Sequence, residues 1–177
     1  MINSGAYVLS GHDGPYAVER FLCGPDEDGW RYTATRTDPE SGADLGRIDL
    51  LLDAVGRTLR LEVTAGGWLL RGGVVGAEAL WRRGAEERSE QAQGFTGTSP
   101  AYAIAATRLA AAAGGSARLR LVAVHDSALA TSTIVQSWRL AGPDRWTADD
   151  LATGERRQLE VRDELVISGP GIALTQI

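Results

Sequence analysis

The chain is expected to be mainly β with one helix (α+β). The helix lies on the concave face of a large curved antiparallel sheet or open barrel. Three observations lead to this. Short alternating runs recur about every 10 residues, with turn residues between them, which is the pattern of antiparallel hairpins. One stretch alone, 99–113, reads as a helix, and it is too apolar to stand in water. Strand-like runs fill the chain on both sides of that stretch, so the helix has sheet on either side in sequence.

Taken in order, residues 5–10 and 16–22 are two apolar runs around the turn His12-Asp13-Gly14-Pro15. Ala17–Leu22 reads as an edge or early strand. Trp30–Arg36 alternates: Trp30, Tyr32 and Ala34 face one way, and Arg31, Thr33 and Thr35 the other. Asp38–Gly42 is a turn. Leu45–Asp53 places Ile48, Leu50 and Leu52 on one face. Thr58–Thr64 follows, with Leu59, Leu61 and Val63 alternating with Arg60 and Glu62. Gly66-Gly67 marks a hairpin, and Trp68–Val75 and Ala77–Arg83 are the next strands. Gly84–Gln93 is charged with no apolar face, and reads as a solvated loop or a short surface helix.

The helix itself has clear start and stop signals. Thr98 or Ser99 caps it, Pro100 suits its first position, alanines favour its interior, and Gly114-Gly115 ends it. Its only polar interior residues are Thr107 and Arg108. Arg118–Val124 then resumes strand, with one apolar face at its start and two at its end, the sign of a strand covered on both sides there. Thr133–Leu140, Arg145–Asp150, Gln158–Arg162, Leu165–Ile167 and Ile172–Gln176 complete the second run, joined by turns at Gly142-Pro143-Asp144 and Ala152–Glu155.

Length bounds the organisation: 177 residues suit one domain spanning 1–177. A net charge of −5 argues against a nucleic-acid backbone as partner. All 18 basic residues are arginine, which excludes chemistry that needs a lysine amine. Cys23 is the one cysteine, so neither an internal disulfide nor a thiolate cluster forms. The first residues lack a signal-peptide pattern and no segment is apolar for about 18 residues, so a cytoplasmic protein without a membrane span is expected.

Catalytic motifs are absent. His125-Asp126-Ser127 has the residue types of a hydrolase triad, but neighbours on a strand point to opposite faces, so it reads as a strand-end turn. His12-Asp13 is a second His–Asp pair and would build a metal site only if the fold joined positions 12 and 125. No nucleophile elbow, phosphate loop or dinucleotide fingerprint occurs. Cys23 reads as a buried, inert thiol. No catalytic residue, metal or cofactor is therefore expected. The aromatics say more. Trp30, Trp68, Trp81, Trp138 and Trp146 all fall on expected strands, where they serve either as core or as the wall of an apolar pocket. Arg108 is a lone charge on an apolar helix. Facing a cavity, it would hold a carboxylate, phosphate or sugar; facing solvent, it would be a surface charge.

Ser99-Pro100, Arg108-Leu109 before the glycine pair, Val135-Gln136-Ser137-Trp138, Asp163-Glu164-Leu165-Val166 and Gly169-Pro170-Gly171-Ile172 together resemble a bacterial glycolipid-binding family. The likeness covers about the last 80 residues by position. Alanines at 103, 105 and 106 replace the family's polar pair and inner proline, and Arg108 matches the second of its two arginines, with Thr107 at the first. The resemblance implies an open half-barrel similar to the lipoprotein carriers of the bacterial envelope, and an amphipathic ligand rather than catalysis. The resulting expectation is a non-enzymatic protein that holds a lipid-like or glycolipid-like amphiphile, with Arg108, Tyr102, Trp30, Trp68 and Trp138 as ligand-binding residues. The alternatives are a protein-interaction or homodimerisation module that uses an edge strand such as Ala17–Leu22, and a small hydrolase that uses His12 or His125.

Overall fold

The computed structural model describes residues 1–125 and 127–176. Fifteen strands form one open sheet. The first eight are β1 (Asn3–Gly11), β2 (Gly14–Asp26), β3 (Gly29–Thr37), β4 (Asp44–Leu52), β5 (Thr58–Ala65), β6 (Trp68–Val75), β7 (Glu78–Arg83) and β8 (Glu86–Gln91). A short β9 (Gly94–Thr96) leads to the helix α1 (Pro100–Ala112). The remainder are β10 (Ser116–Val124), β11 (Thr131–Gly142), β12 (Arg145–Asp150), β13 (Arg156–Arg162), β14 (Leu165–Gly169) and β15 (Ile172–Gln176).

The spatial order is β8-β7-β6-β5-β4-β3-β2-β1-β15-β14-β13-β12-β11-β10-β9. Nearly every neighbour is a hairpin partner, as the regular strand spacing requires. The two exceptions are β1 against β15, which joins the chain's two halves, and β9 beside β10, a parallel pair connected through α1. The sheet's two edges, β8 and β9, are consecutive in the chain. Only Ala92 and Gln93 separate them, so Gln91 and Gly94 stand no more than about 11 Å apart. The Gln93 N–H donates to Arg120 O (2.9 Å) and the Ala92 N–H to Ala77 O (3.2 Å), which ties this link to both sides. The sheet is thus coiled until its ends nearly meet, and α1 lies in the space it encloses.

Alternation decides what faces that space. Trp30, Tyr32 and Ala34 of β3 and Ile48, Leu50 and Leu52 of β4 are all buried, as their spacing predicts. The last four residues of β10, Leu121–Val124, are buried on both faces, also as expected. The helix begins at Pro100 with Ser99 as its cap, whose Oγ accepts from the Ala101 N–H (3.3 Å). It ends where the Gly114 and Gly115 N–H groups donate back to Ala111 O and Ala110 O.

Three expectations are corrected. Residues 86–91 form strand β8, neither loop nor helix. All six are exposed, and they are held to β7 by the backbone ladder and an Arg83–Glu86 ion pair, so no apolar alternation marks them. Leu59 does not share the inner face with Leu61. Leu51 pairs with Arg60 and Leu52 with Thr58, so Leu59 is the extra residue of a bulge and turns outward, 42% exposed, while Thr58 turns in. Ala17–Leu22 belongs to an interior strand, because β2 is paired on one side with β1 and on the other with β3.

Candidate functional site

Strand β2 alternates Ala17, Glu19, Phe21 and Cys23 toward the interior. Glu19 therefore sits among apolar neighbours, with no exposed surface. Burying a carboxylate is costly unless its oxygens are bonded, and three donors converge on this one. Tyr32 Oη donates to Oε1 (2.6 Å), Ser99 Oγ donates to Oε1 (2.7 Å), and Arg36 Nε donates to Oε2 (2.7 Å). Ser99 is also the helix cap, so one carboxylate fixes the start of α1 to β2 and β3. Burial above all, and then the Glu19 charge, pushes the Tyr32 phenol well above its ordinary pKa, which keeps it a donor.

Beside this network lies a pocket of about 360 Å³. Ala17, Ile48, Val63, Tyr102, Val124 and Leu129 give it an apolar wall. Arg36 joins the lining from β3, and Tyr16, Asp44 and Arg47 add further polar groups. Gly66 brings the β5–β6 turn over the pocket in a left-handed conformation (φ 55°), where a Cβ would collide with Ser127 O. Two chain segments, the β5–β6 turn and the stretch after β10, thus meet at this end of the enclosed space.

The five residues chosen from sequence are dispersed. Tyr102, buried on the first turn of α1, lines the pocket. Trp30 and Trp138 are core residues, each 1% exposed, and Trp138 Nε1 donates to Gln136 Oε1 (2.9 Å). Trp68 is 43% exposed and carries the Arg83 guanidinium 4.7 Å from its ring. Arg108 points neither into the pocket nor simply to solvent. Its guanidinium pairs with Glu164 in the β13–β14 turn and lies 5.4 Å from the Trp30 ring. The β4–β5 turn closes on the same place. Gly56 has φ 93°, and a Cβ there would stand 2.5 Å from Arg108 Cβ and 2.9 Å from Ala105 O. Arg108 is a clasp between the helix and both halves of the sheet.

None of Glu19, Arg36 and Arg47 was among the ligand-binding residues expected from the sequence. A signal for Glu19 was present, since it shares the parity of Ala17 and Phe21 on an alternating strand. Arg36 has the same kind of signal, sharing the parity of Trp30, Tyr32 and Ala34 on β3, whereas Arg47 carries none, because its place at the pocket depends on how the sheet coils.

The groups considered for catalysis lie elsewhere. His12 is exposed in the β1–β2 turn. His125 follows the end of β10 with Nε2 3.0 Å from Ser132 Oγ, and Asp126 lies outside the described residues. Neither imidazole lines the pocket. Cys23 is 3% exposed, and burial, with a smaller contribution from the Glu164 carboxylate, pushes its thiol up to about 12. Among the described residues, no helix is long and apolar enough to cross a membrane.

Fold and site together define a class: a coiled, open β-sheet wrapped around one helix, with an apolar pocket beside the helix start. No protein-family model matches the sequence, and no curated protein matches it. Among solved structures, this chain is similar to the crystal structure of a DUF1089 family protein from Pseudomonas aeruginosa. The TM-score is 0.59 at 19% identity, with 96% of this chain and 90% of that chain covered. The two share a fold along nearly their whole lengths.

Proposed function

We propose that this is a non-enzymatic binding protein that holds the apolar part of a lipid-like or glycolipid-like amphiphile in the pocket beside Tyr102. The observation that carries the reading is the pocket itself. Its volume of about 360 Å³ lies within the range of small-molecule sites, and its walls combine an apolar majority with a few polar groups. Its position between helix and sheet supports the reading too. The resemblance of the C-terminal half to a glycolipid-binding family points the same way. A cytoplasmic location belongs to this proposal and is checked by cell fractionation.

Native mass spectrometry of the purified protein, with displacement of a fluorescent fatty-acid probe, tests it. Val63→Phe fills the pocket from β5 and is expected to weaken probe binding about tenfold or more. Leu140→Phe, at a residue 47% exposed and outside the pocket lining, is expected to leave binding unchanged. No retained or bindable amphiphile would overturn the proposal.

A further inference from the structure

We propose that the outer face of β2, β3 and β4 carries a second site, for the oxyanion of inorganic phosphate or a phosphate monoester, built on Arg20 and Arg47. Strand β3 turns Arg31, Thr33 and Thr35 away from the interior, because Trp30, Tyr32 and Ala34 fill its buried face. The neighbouring strands carry longer side chains at the same level. The register sets Arg20 and Arg47 on either side of Thr35, and Leu22 and Asp49 on either side of Thr33. Two short threonines between four longer residues leave a trough along β3, and these six residues line a groove of about 420 Å³. Of the six, Arg47 alone also borders the pocket beside Tyr102.

The charges in this trough do not balance. Asp49 is the one acid on its lining, and Arg31 engages both carboxylate oxygens, through Nε (2.9 Å) and Nη2 (2.6 Å). Arg60 adds a third contact to Asp49 at 3.6 Å. Arg20 and Arg47 are both exposed and make no ion pair among the described residues. The Thr33 and Thr35 hydroxyls make no hydrogen bond among them either. Neighbouring strands lie about 4.8 Å apart, which sets the Arg20 and Arg47 backbones roughly 10 Å from each other across β3. Arginine side chains are long enough to close that span over Thr35. Two like charges facing each other across one strand repel, and an anion between them turns the repulsion into two attractions. A tetrahedral oxyanion has acceptors for both planar forks and for the threonine hydroxyls below. Leu22, 53% exposed, adds an apolar wall for the organic part of a monoester.

Titration of the isotope-labelled chain with inorganic phosphate, phenyl phosphate and phenyl glucoside, followed through the amide resonances of β3, tests this. At least one of the two phosphates is expected to shift the Thr33 and Thr35 amides saturably, and the glucoside to leave them in place. The affinity is expected to fall as sodium chloride is raised, since the site is exposed. Tighter binding of phenyl phosphate assigns the site to a monoester, and equal or tighter binding of inorganic phosphate assigns it to the free anion. Arg20→Gln and Arg47→Gln are each expected to weaken binding about fivefold or more. Arg118→Gln, at an exposed residue of β10, is expected to change nothing. All three substitutions are at exposed positions, and matching thermal melts check that the variants fold. Absence of a saturable shift with both phosphates, an equal response to the glucoside, or undiminished binding in Arg20→Gln would overturn the inference. None of these outcomes bears on the amphiphile pocket, whose lining does not include Arg20.

Discussion

A carboxylate with no exposed surface is destabilising unless each oxygen finds a donor, and Glu19 meets three. Removing it takes a bonded carboxylate from the largely buried Arg36 and leaves the Ser99 and Tyr32 hydroxyls without this acceptor. Glu19→Ala is therefore expected to lower unfolding stability by about 3–5 kcal/mol, and Tyr32→Phe by about 1 kcal/mol, both read from urea titrations. Tyr32 and two other buried groups, Cys23 and Tyr7, set the response to alkali. Burial raises the Cys23 thiol to about 12 and lifts the Tyr7 and Tyr32 phenols above their ordinary range. The folded state thus holds these protons more tightly than the unfolded chain. The stabilisation is complete below the unfolded values, about 8.5 for the thiol and about 10 for the phenols, and is lost as pH rises through them toward the folded values. The melting temperature is expected to fall steadily above about pH 9. Cys23 is expected to react with a disulfide reagent at neutral pH only after unfolding.

Among the elements, β5 shows how a single bulge reassigns a strand. Leu59 and Leu61 look equivalent in sequence, yet one is 42% exposed and the other fully buried. Leu61→Ala is expected to cost about 2–5 kcal/mol and Leu59→Ala less than about 0.5 kcal/mol, measured by chemical denaturation. Equal costs would place both residues inside. The β4–β5 turn is similarly specific. Gly56 combines a left-handed backbone with direct approach to the helix, so Gly56→Ala is expected to cost about 2 kcal/mol or more in the same assay. Elements with periodicity were legible in the sequence: β3, β4 and the helix, with its cap and glycine stop. Strand β8 was not, because an edge whose six residues are all exposed has no apolar face to announce it. The short β9 was missed for a related reason. Its three residues are too few to show a period, and its pairing with β10 depends on the helix that returns between them.

For the whole molecule, coiling the sheet leaves two edges, and β8 is the longer. Its six residues include Glu86, Glu87, Arg88 and Glu90, and charge along an edge discourages pairing with another chain. Replacing Glu87 and Glu90 with valine is expected to increase self-association over the unaltered chain, as read by light scattering. Coiling also builds the site. Arg36 on β3, Arg47 on β4, Tyr102 on the helix and Leu129 after β10 are far apart in the chain and meet at one pocket.

The amino-acid sequence by itself determined the class of fold, the place of the single helix, and which face of most strands is apolar. These follow from local periodicity and from capping and turn chemistry, which act within a few residues. Only the tertiary structure decided that Arg108 clasps Glu164 and Trp30 rather than lining a cavity, that Glu19 anchors the helix start, and that Arg36 and Arg47 stand at the pocket. Those outcomes depend on the radius of the coiled sheet and the register of its hairpins. Both are set by contacts between residues that local pattern does not relate.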